Sequence, residues 1–147
     1  MTASFTSTKT YRNLPCAHRQ WRHEGHCAWI HGYSRSFTFV FAADALDENH
    51  FVMDFGGLKK VKAWLEHMFD HTLLICADDP HLQTFEGLHD HGLCSLRVLP
   101  NVSMEATAKY VYEHVQPLIH KATGGRVWIQ SVECRENDKN SAIYTAA

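Results

Sequence analysis

Apolar and polar positions alternate along one early segment, and this alternation predicts a β-strand. The sequence of Gly32–Ala43 is GYSRSFTFVFAA, in which Tyr33, Arg35, Phe37, Phe39 and Phe41 fall on one side of an extended chain. Aromatic residues favour a strand further, because they pack well on a pleated surface. The Thr-rich segment Ser4–Tyr11 is weakly strand-like and could pair with it. We therefore expect two paired strands in the first third of the chain.

Two later segments repeat apolar residues every three or four positions, the spacing of one face of an α-helix. They are Leu58–Phe69 and Met104–Ile119. Glu105 lies in the first turn of the second segment, where the positive end of the helix dipole favours a carboxylate. The pair Gly124-Gly125 ends this helix. The pattern predicts two amphipathic helices that pack on a common core.

The remaining segments complete an α+β prediction. Val127–Cys134 is rich in β-forming residues, and Ser141–Thr145 is a plausible short last strand. Cys76–Leu99, between the helices, is predicted to be irregular. The order β-β-α-α-β-β favours an antiparallel sheet with two helices on one face. No repeat or flexible linker divides the 147 residues, so we expect a single domain over 1–147.

Charge and hydropathy exclude two classes of partner. Lys plus Arg is 14 and Asp plus Glu is 16, which leaves a formal charge of −2. Nucleic-acid binding needs a clustered cationic surface, so a nucleic-acid partner is not expected. No stretch approaches the roughly 20 apolar residues that span a bilayer. The Ser/Thr-rich N-terminus lacks the apolar run of a secretory signal, so we expect a cytoplasmic protein.

The histidines and cysteines point to a metal or acid–base site. The chain has five cysteines in no C-x-x-C pairing, which does not resemble a disulfide framework, and twelve histidines. The segment HRQWRHEGHCAWIHGY (18–33) alone holds four histidines and one cysteine. His31 and Tyr33 would project on the same side of the predicted strand, and a loop ligand (His18, His23 or His26) could join them. Zinc prefers imidazole nitrogens and thiolates, and a catalytic zinc keeps one position open.

Six short motifs follow one another over nearly the whole chain. They are CAH (16–18), EGHC followed by HG (24–32), VMDFxxLK (52–59), FDH (69–71), NVSME (101–105) and ENDKNSA (136–142). In this order they resemble motifs of the 6-pyruvoyl-tetrahydropterin synthase family. The gap of three residues between Cys27 and His31 favours its bacterial branch, the 6-carboxytetrahydropterin synthases of the queuosine pathway.

The resemblance implies a metal centre with a proton relay beside it. By analogy with the family motifs, His18 and His31 would hold zinc and Cys27 would be the catalytic thiol. Asp70 and His71 would complete the proton relay of that cysteine. The implied fold is the tunnelling fold, in which sheets from several subunits close a barrel. A homo-oligomer with active sites at subunit interfaces is therefore expected.

The resemblance also implies a pterin pocket and a reaction. Ser103 and Glu105 would lie beside the pterin, and Glu136 would anchor its ring, since a carboxylate accepts two parallel N–H donors. The implied substrate is 7,8-dihydroneopterin triphosphate, cleaved to 6-carboxytetrahydropterin, acetaldehyde and triphosphate. Arg19 and Arg35 are among the cationic candidates for the triphosphate.

The sequence departs from the family at the third metal ligand. The family motif is H-G-H, but here it is His31-Gly32-Tyr33. A tyrosine ligates as phenolate, and its unperturbed pKa is about 10, so a metal would have to lower it. We expect Tyr33 near the metal. The alternatives are that His23 or His26 replaces it, that zinc binds weakly, or that another metal is preferred.

Several structural roles compete with the functional ones. Cys27 could be a small buried hydrophobic residue, His71 a favourable charge at a helix C-terminus, and Glu136 a solvated turn residue. Three functional classes follow. The first is the lyase above, and the second is a related enzyme that forms pyruvoyl-tetrahydropterin or cleaves the side chain as an aldolase does. The third is a non-catalytic metal or pterin binder.

Overall fold

One six-stranded sheet and three α-helices make up the computed structural model, which describes residues 3–147. The strands and helices follow in the order β1 (Phe5–His18), β2 (His31–Ala43), α1 (Lys59–Phe69), β3 (Thr72–Cys76), α2 (Leu82–Asp90), β4 (Leu96–Leu99), α3 (Met104–Thr123), β5 (Val127–Arg135) and β6 (Ser141–Thr145). Short 3₁₀ turns occupy His26–Ala28 and Phe55–Gly57. No helix among the described residues is long and apolar enough to cross a bilayer.

The sheet has the strand order β4-β3-β1-β2-β5-β6. β1 pairs with β2, β2 with β5, and β5 with β6, all antiparallel. β3 runs parallel to both β1 and β4. The α+β class predicted from the sequence is confirmed, whereas the prediction of a wholly antiparallel sheet is wrong for the β4-β3-β1 side.

The segment Cys76–Leu99 is ordered, so the prediction of an irregular piece is also wrong. It contains the end of β3, then α2 and β4. All five residues of β3 are buried, and a strand buried on both faces gives an apolar run without alternation. Within α2 only Phe85 is buried, so the helix shows little of an apolar stripe. These two patterns explain why periodicity did not reveal the segment.

The main core lies between one face of the sheet and the helices α1 and α3. Phe37, Phe39 and Phe41 of β2 are fully buried there, as their alternation predicts. The ring of Phe37 lies 4.7 Å from that of Phe69 at the end of α1. The prediction of two helices on one face therefore describes α1 and α3.

Helix α2 packs on the opposite face of the sheet from α1 and α3. Leu73 and Ile75 of β3 form a separate small cluster with Phe85 of α2. Their neighbours Leu74 and Cys76 point into the main core, because successive strand residues face opposite ways. The sheet is thus covered on both sides at β3.

The β1–β2 pair is closely packed at the end where both strands carry histidines. His18 is paired with His31, and Ala17 with Gly32. A Cβ added at Gly32 would lie 2.0 Å from the carbonyl oxygen of Cys16 and 2.8 Å from Cα of Ala17. Both obstructing atoms are backbone, so they cannot rotate away. Only glycine fits between the two strands at this position.

Replacing Gly32 by alanine should therefore push β2 away from β1. We expect Gly32→Ala to lower the free energy of unfolding by about 2–3 kcal/mol, the cost of overpacking, measured by urea denaturation. Gly57→Ala is the matched control, because a Cβ there meets nothing within 4 Å. Equal stability of the two variants would contradict the close approach of the strands.

Candidate metal centre

His18 and His31 come together where the paired strands β1 and β2 meet. Their ring centroids are 4.5 Å apart, and His18 is buried with 6% of its surface exposed. Glu136 follows β5, the other neighbour of β2. Its Oε1 atom is 3.5 Å from Nε2 of His31 and 3.8 Å from Nε2 of His18. Within residues 3–147, this is the only group of three His, Cys, Asp or Glu side chains arranged to hold a metal ion.

The donor atoms suit a divalent transition metal. Two imidazoles and a carboxylate can hold zinc or a related ion and leave a coordination position open. Burial, the Arg35 guanidinium and the neighbouring His31 lower the pKa of His18 to about 3, so its ring is neutral near pH 7. Nδ1 of His31 donates a hydrogen bond to the carbonyl oxygen of Trp29 at 2.7 Å. This bond leaves the lone pair of His31 Nε2 directed at the site.

Arg35 lies behind His18 and is only 2% exposed. Its Nη2 atom donates a hydrogen bond to Nδ1 of His18 at 3.0 Å. Its Nη1 atom has no hydrogen-bond partner among the described residues. The guanidinium is therefore directed to the back of the metal-binding group. The strand alternation places Arg35 on this face but does not reveal its contact with His18.

Tyr33 lies on the same strand as His31 but outside the three-residue group. Its ring centroid is 6.4 Å from that of His31, and 51% of its surface is exposed. It lines a shallow depression together with His71. The loop histidines His23 and His26 also lie outside the group. Nδ1 of His23 accepts a hydrogen bond from the amide of Gly25, and the ring of His26 packs near Trp29.

Cys27 lies in the loop that joins the two histidine-bearing strands. It occupies the middle of the 3₁₀ turn His26–Ala28, and its thiol is exposed. Its carbonyl oxygen accepts a hydrogen bond from the amide of Gln20 at 2.7 Å, which ties the turn to the end of β1. An exposed side chain excludes the competing interpretation of Cys27 as a buried hydrophobic residue.

Asp70 and His71 form an imidazole–carboxylate pair directly after α1. Nδ1 of His71 donates to Oδ1 of Asp70 at 2.6 Å, and the His71 ring is exposed. His71 has a positive φ of 60°, and its amide donates to the carbonyl oxygen of Pro15 at 2.6 Å. The backbone of β1 thus fixes where this pair lies relative to the strand that carries His18.

The two residues predicted beside the pterin lie at the start of α3. Oγ of Ser103 accepts a hydrogen bond from the amide of Ala106 at 3.0 Å, so Ser103 caps the helix. Glu105 is in the first turn and is exposed. The same end of α3 contacts the end of β5, where Sγ of Cys134 lies 3.5 Å from Sδ of Met104. Ser103 therefore has a structural function at the N-terminus of α3 that the sequence analysis did not predict.

An ion pair that the sequence analysis missed holds the loop beside the metal-binding group. Arg19, which follows His18, donates from Nε and Nη2 to the carboxylate of Asp79 at 2.7 and 2.9 Å. Its Nη1 atom donates to the carbonyl oxygen of Ala28 at 3.0 Å. The link joins the β3–α2 turn to the loop that carries Cys27. The partners are 60 residues apart, and only the acidic turn of Asp78-Asp79-Pro80 marks the site in the sequence.

The same fold occurs in solved structures, and these show the fold alone. An uncharacterized protein from Wolinella succinogenes matches with a TM-score of 0.84 and 20% identity, over 97% of this chain and 98% of that one. A Caenorhabditis elegans 6-pyruvoyl tetrahydropterin synthase matches with a TM-score of 0.65 and 17% identity, over the full length of both chains. The architecture therefore defines the chain as a protein of the tetrahydropterin synthase fold.

Sequence comparison identifies the family. The model of the 6-pyruvoyl tetrahydropterin synthase family matches residues 7–147, so the chain belongs to this family. A 6-carboxy-5,6,7,8-tetrahydropterin synthase from Rickettsia felis is 35% identical over 66 residues, which are 44% of this chain and 48% of that protein. The match thus spans about half the length of that relative. A Bacillus subtilis protein of the same name is 28% identical over 120 residues, 82% of this chain and 70% of that one.

Removing the carboxylate of Asp79 should destabilise the protein. The Asp79 side chain is fully buried, and Asp79→Ala leaves Arg19 without its partner, so we expect a loss of about 3 kcal/mol in unfolding free energy, measured with urea. Asp78→Ala is the control, since Asp78 is 58% exposed, and should cost about 0.5 kcal/mol.

The effect of Asp79 should also depend on pH. Burial raises the pKa of Asp79, but the hydrogen bonds from Arg19 and from the amide of His81, together with the charge of Arg19, outweigh burial and hold the pKa below the ordinary 3.8. A lowered carboxyl pKa stabilises the fold above the ordinary value, and this contribution is lost as the pH falls through the folded-state pKa. The difference between wild type and Asp79→Ala should therefore shrink in acid. A constant difference from pH 7 to pH values below 3.8 would contradict the ion pair.

Proposed function

We propose that this protein is a pterin side-chain lyase. It converts 7,8-dihydroneopterin triphosphate and water to 6-carboxytetrahydropterin, acetaldehyde and triphosphate. The observation that carries the proposal is the convergence of His18, His31 and Glu136 in a chain of this family. The name 6-carboxy-5,6,7,8-tetrahydropterin synthase, which the Rickettsia and Bacillus relatives carry, supports the carboxy product. The product would serve queuosine or another 7-deazapurine pathway.

We propose zinc as the metal, held by His18, His31 and a third ligand. When bound, zinc would supply a Lewis acid for the oxygens of the pterin side chain and so acidify the adjacent C–H and O–H bonds. Glu136 is favoured as the third ligand, because its Oε1 lies within 4 Å of both imidazole nitrogens. Tyr33, which stands at the third ligand position of the family motif, is the alternative ligand. If Glu136 holds the metal, it is not free to anchor the pterin ring.

The proton transfers are assigned to Cys27 and His71. The exposed thiol of Cys27 lies in the loop between the two histidine-bearing strands and would accept a proton from the substrate as a thiolate. His71 would carry the second proton, and its hydrogen bond to Asp70 fixes the ring with Nε2 free to exchange that proton. Both groups are open to solvent in the single chain, which suits a site completed by another subunit of a homo-oligomer. Ser103 and Glu105 would line the pterin side of that site.

The proposal is tested by incubating the purified, zinc-loaded chain with 7,8-dihydroneopterin triphosphate. We expect stoichiometric acetaldehyde and 6-carboxytetrahydropterin. Release of triphosphate with a pyruvoyl pterin and no acetaldehyde would indicate the related synthase reaction. A different aldehyde would indicate aldolase-type cleavage. Pterin binding without turnover would leave a non-catalytic binder, and each of these three results would overturn the proposed reaction.

Cys27→Ala should abolish acetaldehyde formation while zinc stays bound. The thiol is the proposed proton acceptor, and general acid–base groups contribute about 10²–10⁴-fold, so we expect turnover to fall by at least that range. Zinc content, measured by mass spectrometry, should not change, since the cysteine is not in the ligand group. Cys94→Ala is the matched control on the β4 side of the sheet and should keep full activity. Full activity of Cys27→Ala would remove this residue from the mechanism.

The third ligand is tested by comparing two conservative variants. If Glu136 ligates, Glu136→Gln should weaken zinc binding at least tenfold in calorimetric titration, because a neutral amide oxygen replaces an anionic one. Tyr33→Phe should then change the affinity less than threefold. The reverse order of effects would make Tyr33 the ligand and return Glu136 to the pterin pocket.

A further inference from the structure

The two histidines of the metal-binding group differ in what their Nδ1 atoms contact. Nδ1 of His31 faces a carbonyl oxygen, which can only accept a hydrogen bond, so this nitrogen carries the hydrogen. Nδ1 of His18 faces the guanidinium of Arg35, which can only donate, so this nitrogen carries the lone pair. The same ring atom is thus a donor in one histidine and an acceptor in the other.

This difference decides which nitrogen of each ring can bind a metal. In His31 the hydrogen lies on Nδ1, and the lone pair on Nε2 is directed at the site. In His18 the bond from Arg35 selects the opposite tautomer, with the hydrogen on Nε2, the nitrogen that faces Glu136. A metal could bind His18 Nε2 only after this hydrogen moves to Nδ1. The Nδ1–H group of His18 and the N–H group of Arg35 would then face each other as two hydrogen-bond donors, with their nitrogen atoms 3.0 Å apart.

The positive charge of Arg35 also disfavours a metal ion at His18. No Asp or Glu oxygen of the described residues lies within 4.0 Å of its guanidinium nitrogens. A buried charge without a counter-charge is only weakly screened. It therefore repels a cation held on the other side of the imidazole ring.

We propose that Arg35 is a positioning residue that weakens metal binding at this centre by holding His18 in the tautomer with its hydrogen on Nε2. The inference rests on the metal centre of the proposed function and is independent of the reaction catalysed. The metal affinity of this centre consequently depends on Arg35 as well as on the ligands themselves.

The proposal is tested by calorimetric titration of the full chain with Zn²⁺. Arg35→Met keeps an unbranched stem in the core but removes both the donor and the charge, and it should bind zinc at least tenfold more tightly than wild type. Arg35→Lys keeps a donor and the charge and should stay within threefold of wild type. Arg97→Met, on the edge strand β4, removes the same charge far from the centre and should also stay within threefold. Melting curves establish that each variant is folded.

Each outcome of the titration bears on the proposal. Unchanged zinc affinity in Arg35→Met, or equal tightening in Arg35→Lys and Arg35→Met, would overturn it. Weaker binding in Arg35→Met would show that the guanidinium supports the ligand and would overturn it as well. Zinc binding by Arg35→Met alone would support it. If neither wild type nor Arg35→Met binds zinc, the metal centre of the proposed function fails, and the inference fails with it.

A second measurement detects the tautomer without any metal. In the wild-type chain, nuclear magnetic resonance of the imidazole nitrogens should place the His18 hydrogen on Nε2 and the His31 hydrogen on Nδ1. Arg35→Met should move the His18 hydrogen to Nδ1 or give a mixture, and leave His31 unchanged. A wild-type His18 with its hydrogen on Nδ1 would overturn the proposal even if the affinities changed. If Arg35 had only a structural function, the Arg35→Met substitution would leave the position of the His18 hydrogen unchanged.

Discussion

The antiparallel register of β1 and β2 is the constraint on which the metal-binding group depends. It pairs His18 with His31 across two strands that approach so closely that only Gly32 fits beside Ala17. A shift of one residue would turn one imidazole to the opposite face of the sheet and separate the rings. The aromatic residues that β2 buries between the sheet and the helices hold this register, so the hydrophobic core determines the geometry of the ligands.

Much of the fold and part of the candidate site could be predicted from the sequence. Alternation in β2 and helical periodicity in α1 and α3 are local signals, and each of these elements appears where its pattern indicates. The fully buried strand β3 carries no such signal, and the segment after it was missed for that reason. Motif resemblance indicated His18 and His31, which the fold brings together. It did not indicate that the carboxylate of Glu136 lies beside them.

Arg35 and Asp79 show why the remaining features could not be predicted. Both residues are buried. The alternation of β2 puts Arg35 on the face of the phenylalanines, but it does not indicate what the guanidinium contacts, and the turn that carries Asp79 has no periodic pattern. Their partners lie 17 and 60 residues away along the chain, so the contacts exist only once the sheet has formed. The hydrogen-bond direction at His18 depends on which group faces Nδ1, and no motif encodes that. Such features belong to tertiary packing and not to local sequence.

The placement of α2 leaves most of its surface on the far side of the sheet from the main core. This helix and its small cluster with β3 lie on the face of the sheet opposite the main core. Arg19 links this side to the loop that carries Cys27 through its ion pair with Asp79, and its guanidinium also lies 5.7 Å from the ring centroid of Phe85 in α2. Only Phe85 of α2 is buried, so substitutions at the exposed positions of the helix should leave the imidazoles in place. The exposed face of this helix is therefore a suitable place to attach an affinity handle without disturbing the metal-binding group.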